Sequence, residues 1–256
     1  MDPIFIVGTG RSGTHFLTSI LIACSELTDL TGGRENHTIF NEVANSVIYQ
    51  KENPHLTLEY KKLLIKALPL RLVDQCHPNL WRAEEILAQF PEAQFLCLVR
   101  DPFSVVFSTL AHPGVRERIA GEKWKRYPLP SPFFGIERPF MESYDDYTLV
   151  ERAALRWCAH MREINRCCEI YKDHFLTVRY ESLLTDSLSE CLKISEFLNL
   201  NNGVYVRHPN FDSLNKKKGL SDMQCISIKK IINSYFSHFG FPREEIIPAR
   251  KYLQHL

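Results

Sequence analysis

The feature that most constrains the fold is residues 4–17, which read IFIVGTGRSGTHFL. The first four are apolar and have the length of a strand buried in a parallel sheet. A glycine-rich turn follows over residues 8–14, and apolar residues then recur at helical spacing. A strand, a glycine-rich turn and a helix together predict a cradle in which backbone N–H groups bind a phosphate at the helix N-terminus.

The turn differs from the loop of enzymes that hydrolyse ATP or GTP. The Walker A motif reads G-x-x-x-x-G-K-[ST]. Gly8 and Gly13 have its spacing, but Thr14 stands at the lysine position, and the cation of the turn is Arg11. We therefore expect an anion cradle without the Walker lysine on which hydrolysis depends. A generic glycine turn is the alternative, because short motifs are loosely specific.

A second motif, LVRDPFSVVFS, occupies residues 98–108. Together with G-x-x-R-S-G-T-[TH] after the first strand, it resembles the nucleotide-binding motifs of sulfotransferases that use PAPS (3′-phosphoadenosine 5′-phosphosulfate). In that family the first loop binds the 5′-phosphosulfate. The 3′-phosphate is bound by a strand ending in R-D-P and a helix whose serine follows the arginine by eight residues. Arg100 and Ser108 have that spacing.

The resemblance implies an α/β, three-layer P-loop-like fold with a central, mainly parallel β-sheet flanked by helices. We expect residues 1–256 to form a single domain with PAPS as cofactor, adenosine 3′,5′-bisphosphate (PAP) as product and a small-molecule, carbohydrate or lipid acceptor. The cofactor-binding residues that it implies are Gly10, Arg11, Ser12, Gly13, Thr14, His15, Arg100, Ser108, Tyr180, Lys217, Lys218 and Gly219.

Two of these assignments depend on weaker matches. Tyr180 lies in RYESL, which resembles the Y-E-D-L segment whose tyrosine contacts the adenine in the family. Lys217, Lys218 and Gly219 resemble the basic R-K-G loop that often closes the 3′-phosphate site. A lysine at the arginine position keeps the charge and loses the bidentate fork. A solvated charge run explains this lysine-rich stretch equally well.

A candidate base follows the strand predicted at residues 70–74. Cytosolic sulfotransferases carry K-x-H at this place with the histidine as catalytic base, and His77 matches it. Imidazole, with a pKa of about 6.5, is suited to removing the acceptor's proton. Gln75 stands at the lysine position and cannot offset developing negative charge. Either the rate falls or another cation serves.

The catalytic pair implied by the resemblance is His77 and Arg11, with Arg11 and the adjacent backbone N–H groups stabilising charge on the phosphate oxygens. Some branches of the family use a glutamate shortly after the first helix, which makes Glu35 and Glu42 reserve candidates for the base. The alternatives are a structural histidine at a strand end and two solvated carboxylates.

The remaining pattern predicts strands at residues 93–99 and 175–178 and helices at 81–90 and 148–171, with residues 25–66 forming loop and helices. Residues 112–147 are rich in proline and aromatic residues and fit neither period. We interpret this insertion as a lid or acceptor wall. Packing on the core or a homodimer contact is the equally weighted alternative.

Composition limits the partners. The 256 residues are 45% hydrophobic and carry a net charge of +1, so any basic site must be local, and no nucleic-acid partner is expected.

We find no signal core and no apolar run long enough to span a membrane. Eight cysteines without a C-x-x-C pair suit a reducing compartment, so we expect a cytoplasmic protein. A membrane-anchored enzyme without its anchor would share this pattern. No metal is expected, because no ligand cluster has suitable spacing.

Two rival functions remain open. A P-loop kinase or NTPase would need a loop lysine and an acidic magnesium partner; Asp101 could serve as the partner, but the lysine is missing. A non-catalytic relative, suggested by Gln75, would bind the bisphosphate nucleotide without transferring sulfate.

Overall fold

The computed structural model describes residues 1–30, 37–206 and 209–239. Within them, five parallel strands form one sheet with the order β2-β3-β1-β4-β5. Their bounds are β1 (Ile4–Gly8), β2 (Leu27–Thr28), β3 (Arg71–Asp74), β4 (Gln94–Val99) and β5 (Phe175–Arg179). The expected central parallel sheet is thus confirmed. The short β2 was not predicted, because two residues are too few to show a period.

Helices flank the sheet on both sides. Their bounds are α1 (Thr14–Leu21), α2 (His37–Ile48), α3 (His55–Ala67), α4 (Ala83–Gln89), α5 (Pro102–Leu110), α6 (Pro113–Ile119), α7 (Arg138–Met141), α8 (Leu149–Ile170), α9 (Tyr180–Thr185), α10 (Ser187–Leu198) and α11 (Asp222–His238). Short 3₁₀ segments occupy residues 77–82, 123–126, 132–134, 144–146, 172–174 and 211–219. The helix predicted at 81–90 is therefore a 3₁₀ segment followed by α4.

Two apolar cores account for the three layers. Alternate residues of β1 point to opposite faces, so Phe5 joins a core with α2, α3, α5, α8 and α11. Ile4 joins the other core, with α1, α9 and α10. Because both faces of the sheet are covered, the strands are apolar throughout, as expected for a buried parallel sheet.

The segment 112–147 is more ordered than its sequence suggests. It contains α6, α7 and three of the 3₁₀ segments. Trp124, Phe140 and Tyr144 are buried in the larger core. Arg152 of α8 fastens the segment, because its Nη1 donates to the carbonyls of Ile119 and Gly121 at 3.0 and 2.6 Å. This segment is therefore packed against α8 through both apolar and polar contacts.

All eight cysteines are free thiols. Seven of them pack in or against the two apolar cores, and Cys225 of α11 is the eighth. Among the described residues, no helix is both long enough and apolar enough to cross a bilayer.

Gly8, the last residue of β1, tests how tightly the sheet centre is packed. Its φ of +146° is unfavourable for other residues, and a Cβ would lie 2.4 Å from the Leu98 carbonyl oxygen. We expect Gly8→Ala to lower the free energy of unfolding by roughly 3 kcal/mol, measured by urea denaturation. Gly121→Ala is the control, because its φ is also positive but its Cβ meets no atom within 4 Å. Its cost should be about 1 kcal/mol, and equal losses in the two variants would contradict this prediction.

Candidate active site

A cavity of about 550 Å³ opens where β1, β3 and β4 end. The carboxyl ends of parallel strands are where open α/β sheets bind ligands. Most of the residues predicted to act together lie in its wall. They are Gly10, Arg11, Gly13, Thr14, His15, His77, Arg100, Ser108 and Tyr180.

The turn after β1 is joined directly to α5. Arg11 has a positive φ of 84°, and its Nε donates to Ser108 Oγ at 3.2 Å. The two sequence motifs therefore meet in one site. The turn differs from expectation at Ser12, whose buried N–H donates to the Thr9 carbonyl at 3.0 Å. The N–H groups that a helix leaves without intrahelical partners are those of its first turn, which begins at Thr14.

Arg100 follows β4 and is only 3% exposed. Its guanidinium lies over the ring of Tyr180, 3.9 Å from the ring centroid. Its Nη2 donates to the Ser213 carbonyl at 2.6 Å, and Tyr180 Oη donates to Ser213 Oγ at 2.7 Å. Arg100 Nε is buried without a hydrogen-bond partner among the described residues. A buried donor of this kind indicates a ligand that accepts from it.

Asp101, which follows Arg100, caps a helix. Its carboxylate accepts the N–H of Ser104 at 2.9 Å and caps α5, with Pro102 at the first helical position. The predicted helix start is confirmed. Because the carboxylate is used as a cap, Asp101 is poorly placed to hold a magnesium ion.

The basic run near the end of the described chain reaches the cavity through a different residue from those predicted. Lys216 lies in the wall, and burial, Arg100 and Arg11 lower its pKa. Lys217, Lys218 and Gly219 follow in the same 3₁₀ segment, and all three are exposed and absent from the described wall.

His77 lies at the centre of the cavity wall, directly after β3. Its half-buried ring is stacked near Phe133, with centroids 6.1 Å apart, and 5.5 Å from Phe40. Burial lowers its pKa to about 3, with further contributions from Arg156, His15 and other cations. His77 is therefore neutral at pH 7 and free to accept a proton. An anion that screened the nearby cations would raise its pKa.

Gln75, at the position of the family lysine, has a structural contact. Its buried Nε2 donates to Thr14 Oγ1 at 2.7 Å. The amide thus fastens the end of β3 to the first turn of α1, at the edge of the cavity.

Arg156 is a buried cation of the wall that the sequence motifs do not identify. It lies on α8, is 2% exposed, and reaches the cavity wall beside Gly10. The apolar stripe of α8 led us to assign the whole helix to the core, although the spacing of its basic residues is a signal for a buried charged face. Arg152, Arg156 and His160 follow at four-residue intervals, so they share one helix face, and all three are buried.

Glu42, one of the two reserve candidates for the base, is less well placed than His77. Glu42 lies on α2 and is not in the described wall, whereas Phe40 and Ala44 of the same helix are. Glu35 lies outside the described residues. The wall does contain Asp74, whose carboxylate accepts from Tyr60 Oη and Asn79 Nδ2 at 2.7 and 2.9 Å.

The wall is strongly cationic. Its basic side chains are those of Arg11, Arg100, Arg118, Arg156 and Lys216. Against these five cations, the described part of the wall contains one carboxylate, that of Asp74. Like charges lower each other's pKa, as at Arg11, where burial and Arg100 both act. Because the whole chain has a net charge of only +1, this concentration is local. It fits a ligand with several negative charges.

These features define a class of protein. It is an α/β protein with a glycine-rich turn after β1 that carries Arg11, and with a second arginine, Arg100, at the end of the neighbouring strand β4. A family model described as "Sulfotransferase family" matches residues 57–202, which is more than half of the chain. The chain belongs to the sulfotransferase family, and the protein is a transferase.

Solved structures with the same fold include the sulfotransferase domain from the curacin biosynthetic pathway, with 16% identity, a TM-score of 0.57, and coverage of 94% of this chain and 98% of that one. The sulfotransferase domain from the Synechococcus PCC 7002 olefin synthase has 16% identity and a TM-score of 0.55, with coverage of 91% and 94%. Mouse sulfotransferase SULT7A1 complexed with PAP has 15% identity and a TM-score of 0.55, with coverage of 99% and 88%. None of the curated proteins compared matches this chain.

The lowered pKa of His77 predicts a pH-dependent contribution to stability. Because its folded pKa of about 3 lies below the ordinary value of 6.5, the unfolded chain takes up the proton first as the pH falls. The stabilising contribution is complete above pH 6.5 and is lost between pH 6.5 and 3, by at most about 1.4 kcal/mol per pH unit.

The measurement is urea denaturation of the wild type and His77→Gln from pH 7.5 to 4. We expect the difference in unfolding free energy between them to shift against the wild type below pH 6.5. Parallel curves over this range would show that the His77 pKa is not lowered.

Proposed function

We propose that this protein transfers a sulfuryl group from PAPS to a hydroxyl or amine of an acceptor molecule. The observation that carries the proposal is the Arg11–Ser108 hydrogen bond. It joins the two motifs that resemble the 5′-phosphosulfate and 3′-phosphate sites, in one cavity with a large excess of positive charge. The PAP complex of the mouse protein supports the same choice of nucleotide.

The residues present fit such a donor. The turn from Gly10 to His15 would hold the 5′-phosphosulfate, with Arg11 as its cation. Arg100 and Ser108 would hold the 3′-phosphate, supported by the basic segment 216–219. The unpartnered Nε of Arg100 is a donor that a phosphate oxygen would satisfy. Tyr180, whose ring is already stacked under Arg100, would contact the adenine.

The proposed chemistry needs a base and a charge stabiliser. The bound donor supplies an activated sulfuryl group, whose sulfur bonds to the acceptor atom as its bond to the bridging phosphate oxygen breaks. His77 accepts the acceptor's proton: its imidazole is neutral, and the bound anion, by screening the cations that help to lower its pKa, would make it a stronger base. Arg11 and the first N–H groups of α1 stabilise the negative charge left on the departing bisphosphate.

Aromatic side chains would position the acceptor. Phe40 and Phe133 flank His77, and Phe134 and Val115 extend the same wall. These apolar surfaces suit an acceptor with an apolar or sugar-ring body and exclude water from the reacting atoms. The segment 112–147, which contributes Val115, Phe133 and Phe134, would thus serve as acceptor wall or lid.

The rival functions have less support. This chain lacks the loop lysine that a P-loop kinase or NTPase needs, and the carboxylate of Asp101, the magnesium candidate, caps α5. A non-catalytic relative was suggested by Gln75, but its hydrogen bond to Thr14 gives the glutamine a positive role in holding the cradle.

Nucleotide binding tests the cofactor. PAP at a hundred times its dissociation constant should stabilise the protein by about 2.7 kcal/mol, seen as a thermal shift of several degrees. Arg100→Gln should abolish the shift, and Arg126→Gln, an exposed arginine outside the wall, should preserve it. A shift with ATP and magnesium but none with PAP would favour the kinase alternative. Unfolding without ligand checks that each variant is folded.

Sulfate transfer tests the base. With ³⁵S-labelled PAPS and a panel of phenols, alcohols and amines, we expect His77→Gln to lower kcat roughly 10²- to 10⁴-fold. PAP binding should change little, because the proton acceptor is not a phosphate ligand. An unchanged kcat would remove His77 from the mechanism. PAP binding without transfer to any acceptor in the wild type would favour the non-catalytic relative.

A further inference from the structure

Arg156 and Arg152 lie one turn apart on α8, and both are buried, but only Arg152 is well satisfied. The guanidinium of Arg152 donates to the carbonyls of Tyr147, Ile119, Gly121 and Asp145 and lies 3.6 Å from the Asp145 carboxylate. Arg152 therefore has the environment of a structural arginine. Both residues lie on the same face of α8. The difference in hydrogen bonding between their guanidinium groups must therefore come from the segments packed around them.

Arg156 has a weak hydrogen bond and no ion pair among the described residues. Its Nη1 lies 3.5 Å from the Gly10 carbonyl oxygen, at the limit for a hydrogen bond. Its Nε is buried without a partner. A guanidinium buried in this way costs several kcal/mol unless an anion compensates it. Burial lowers its pKa to about 10, so the charge persists at pH 7.

Gly10 shows where that charge is directed. A Cβ at this position would lie 3.1 Å from Arg156 Nη2 and 3.0 Å from His77 Nε2. The two nitrogens are therefore at most about 6 Å apart. Unlike Gly8 and Gly13, Gly10 does not have a positive φ. A side chain at Gly10 would therefore meet not backbone strain but the tightly approaching ends of Arg156 and His77.

We propose that Arg156 is the cation that binds the sulfuryl oxygens of the donor, in place of the lysine that is absent at Gln75. The inference rests on the proposed function and extends it. Arg156 donates to the non-bridging oxygens while the acceptor atom bonds to sulfur, the sulfur–phosphate oxygen bond breaks and the proton passes to His77. The planar guanidinium suits this task because it offers two parallel donors to adjacent oxygens.

Binding of two ligands that differ only in the sulfuryl group tests the proposal without requiring turnover. The dissociation constants of PAP and PAPS are measured by calorimetry, without acceptor, for the wild type, Arg156→Gln and Arg156→Lys. Hydrogen bonds to a charged group predict that Arg156→Gln weakens PAPS binding about 10- to 100-fold more than PAP binding. Arg156→Lys keeps the charge, so its selective loss should be smaller.

The outcomes separate this inference from the proposed function. Wild-type protein that binds neither ligand would overturn both. Wild-type binding with equal losses for PAP and PAPS in Arg156→Gln would overturn the inference alone and make Arg156 a phosphate ligand or a structural residue. Unchanged binding of both ligands would overturn it as well. Thermal unfolding of the ligand-free variants provides the folding control, and Arg156→Lys keeps the test informative if Arg156→Gln does not fold.

Discussion

The close approach of other groups to the turn after β1 is the constraint on which the site depends. At Gly8 the neighbour is the carbonyl of Leu98 in β4, and at Gly13 it is the ring of Tyr180, 2.5 Å from where a Cβ would lie. A side chain at either position would push away β4 or α9. The glycines therefore let β4, which leads into the second motif, and α9, which begins with Tyr180, approach the turn closely, in addition to giving its backbone freedom.

This packing brings charges of one sign together. Arg11 and Arg100 come from different strands, and each contributes to the lowered pKa of Lys216. Like charges held this close together repel one another, and a polyanion among them would relieve the repulsion. His77 is in the same electrostatic field, because cations of the cavity wall add to the effect of burial in lowering its pKa. Any anion that screens these cations would therefore also raise the pKa of His77.

Gln75 and Arg156 show how this chain departs from the family pattern in the placing of its cations. Gln75 donates to Thr14 and holds the end of β3 against α1. A cation at the cavity is instead supplied from α8, by a residue distant in sequence. The segment 112–147 shows a similar division, since Trp124, Phe140 and Tyr144 fill the core while Phe133 and Phe134 face the cavity. Part of the segment therefore packs in the core, and part of it lines the cavity.

The sequence by itself determined the local elements and the two nucleotide motifs, because periodicity, glycine spacing and the R-D-P helix start depend on near neighbours. It therefore predicted four of the five strands in the described chain, and most of the site residues it singled out do lie in the cavity wall. The tertiary structure alone decided which charges share the cavity. Lys216 rather than Lys217 lies in the wall. Arg156 also reaches the wall, although it lies on α8, a helix whose sequence pattern is dominated by an apolar stripe. The reason is physical: a charge's environment depends on residues far away in the chain, which no local pattern records.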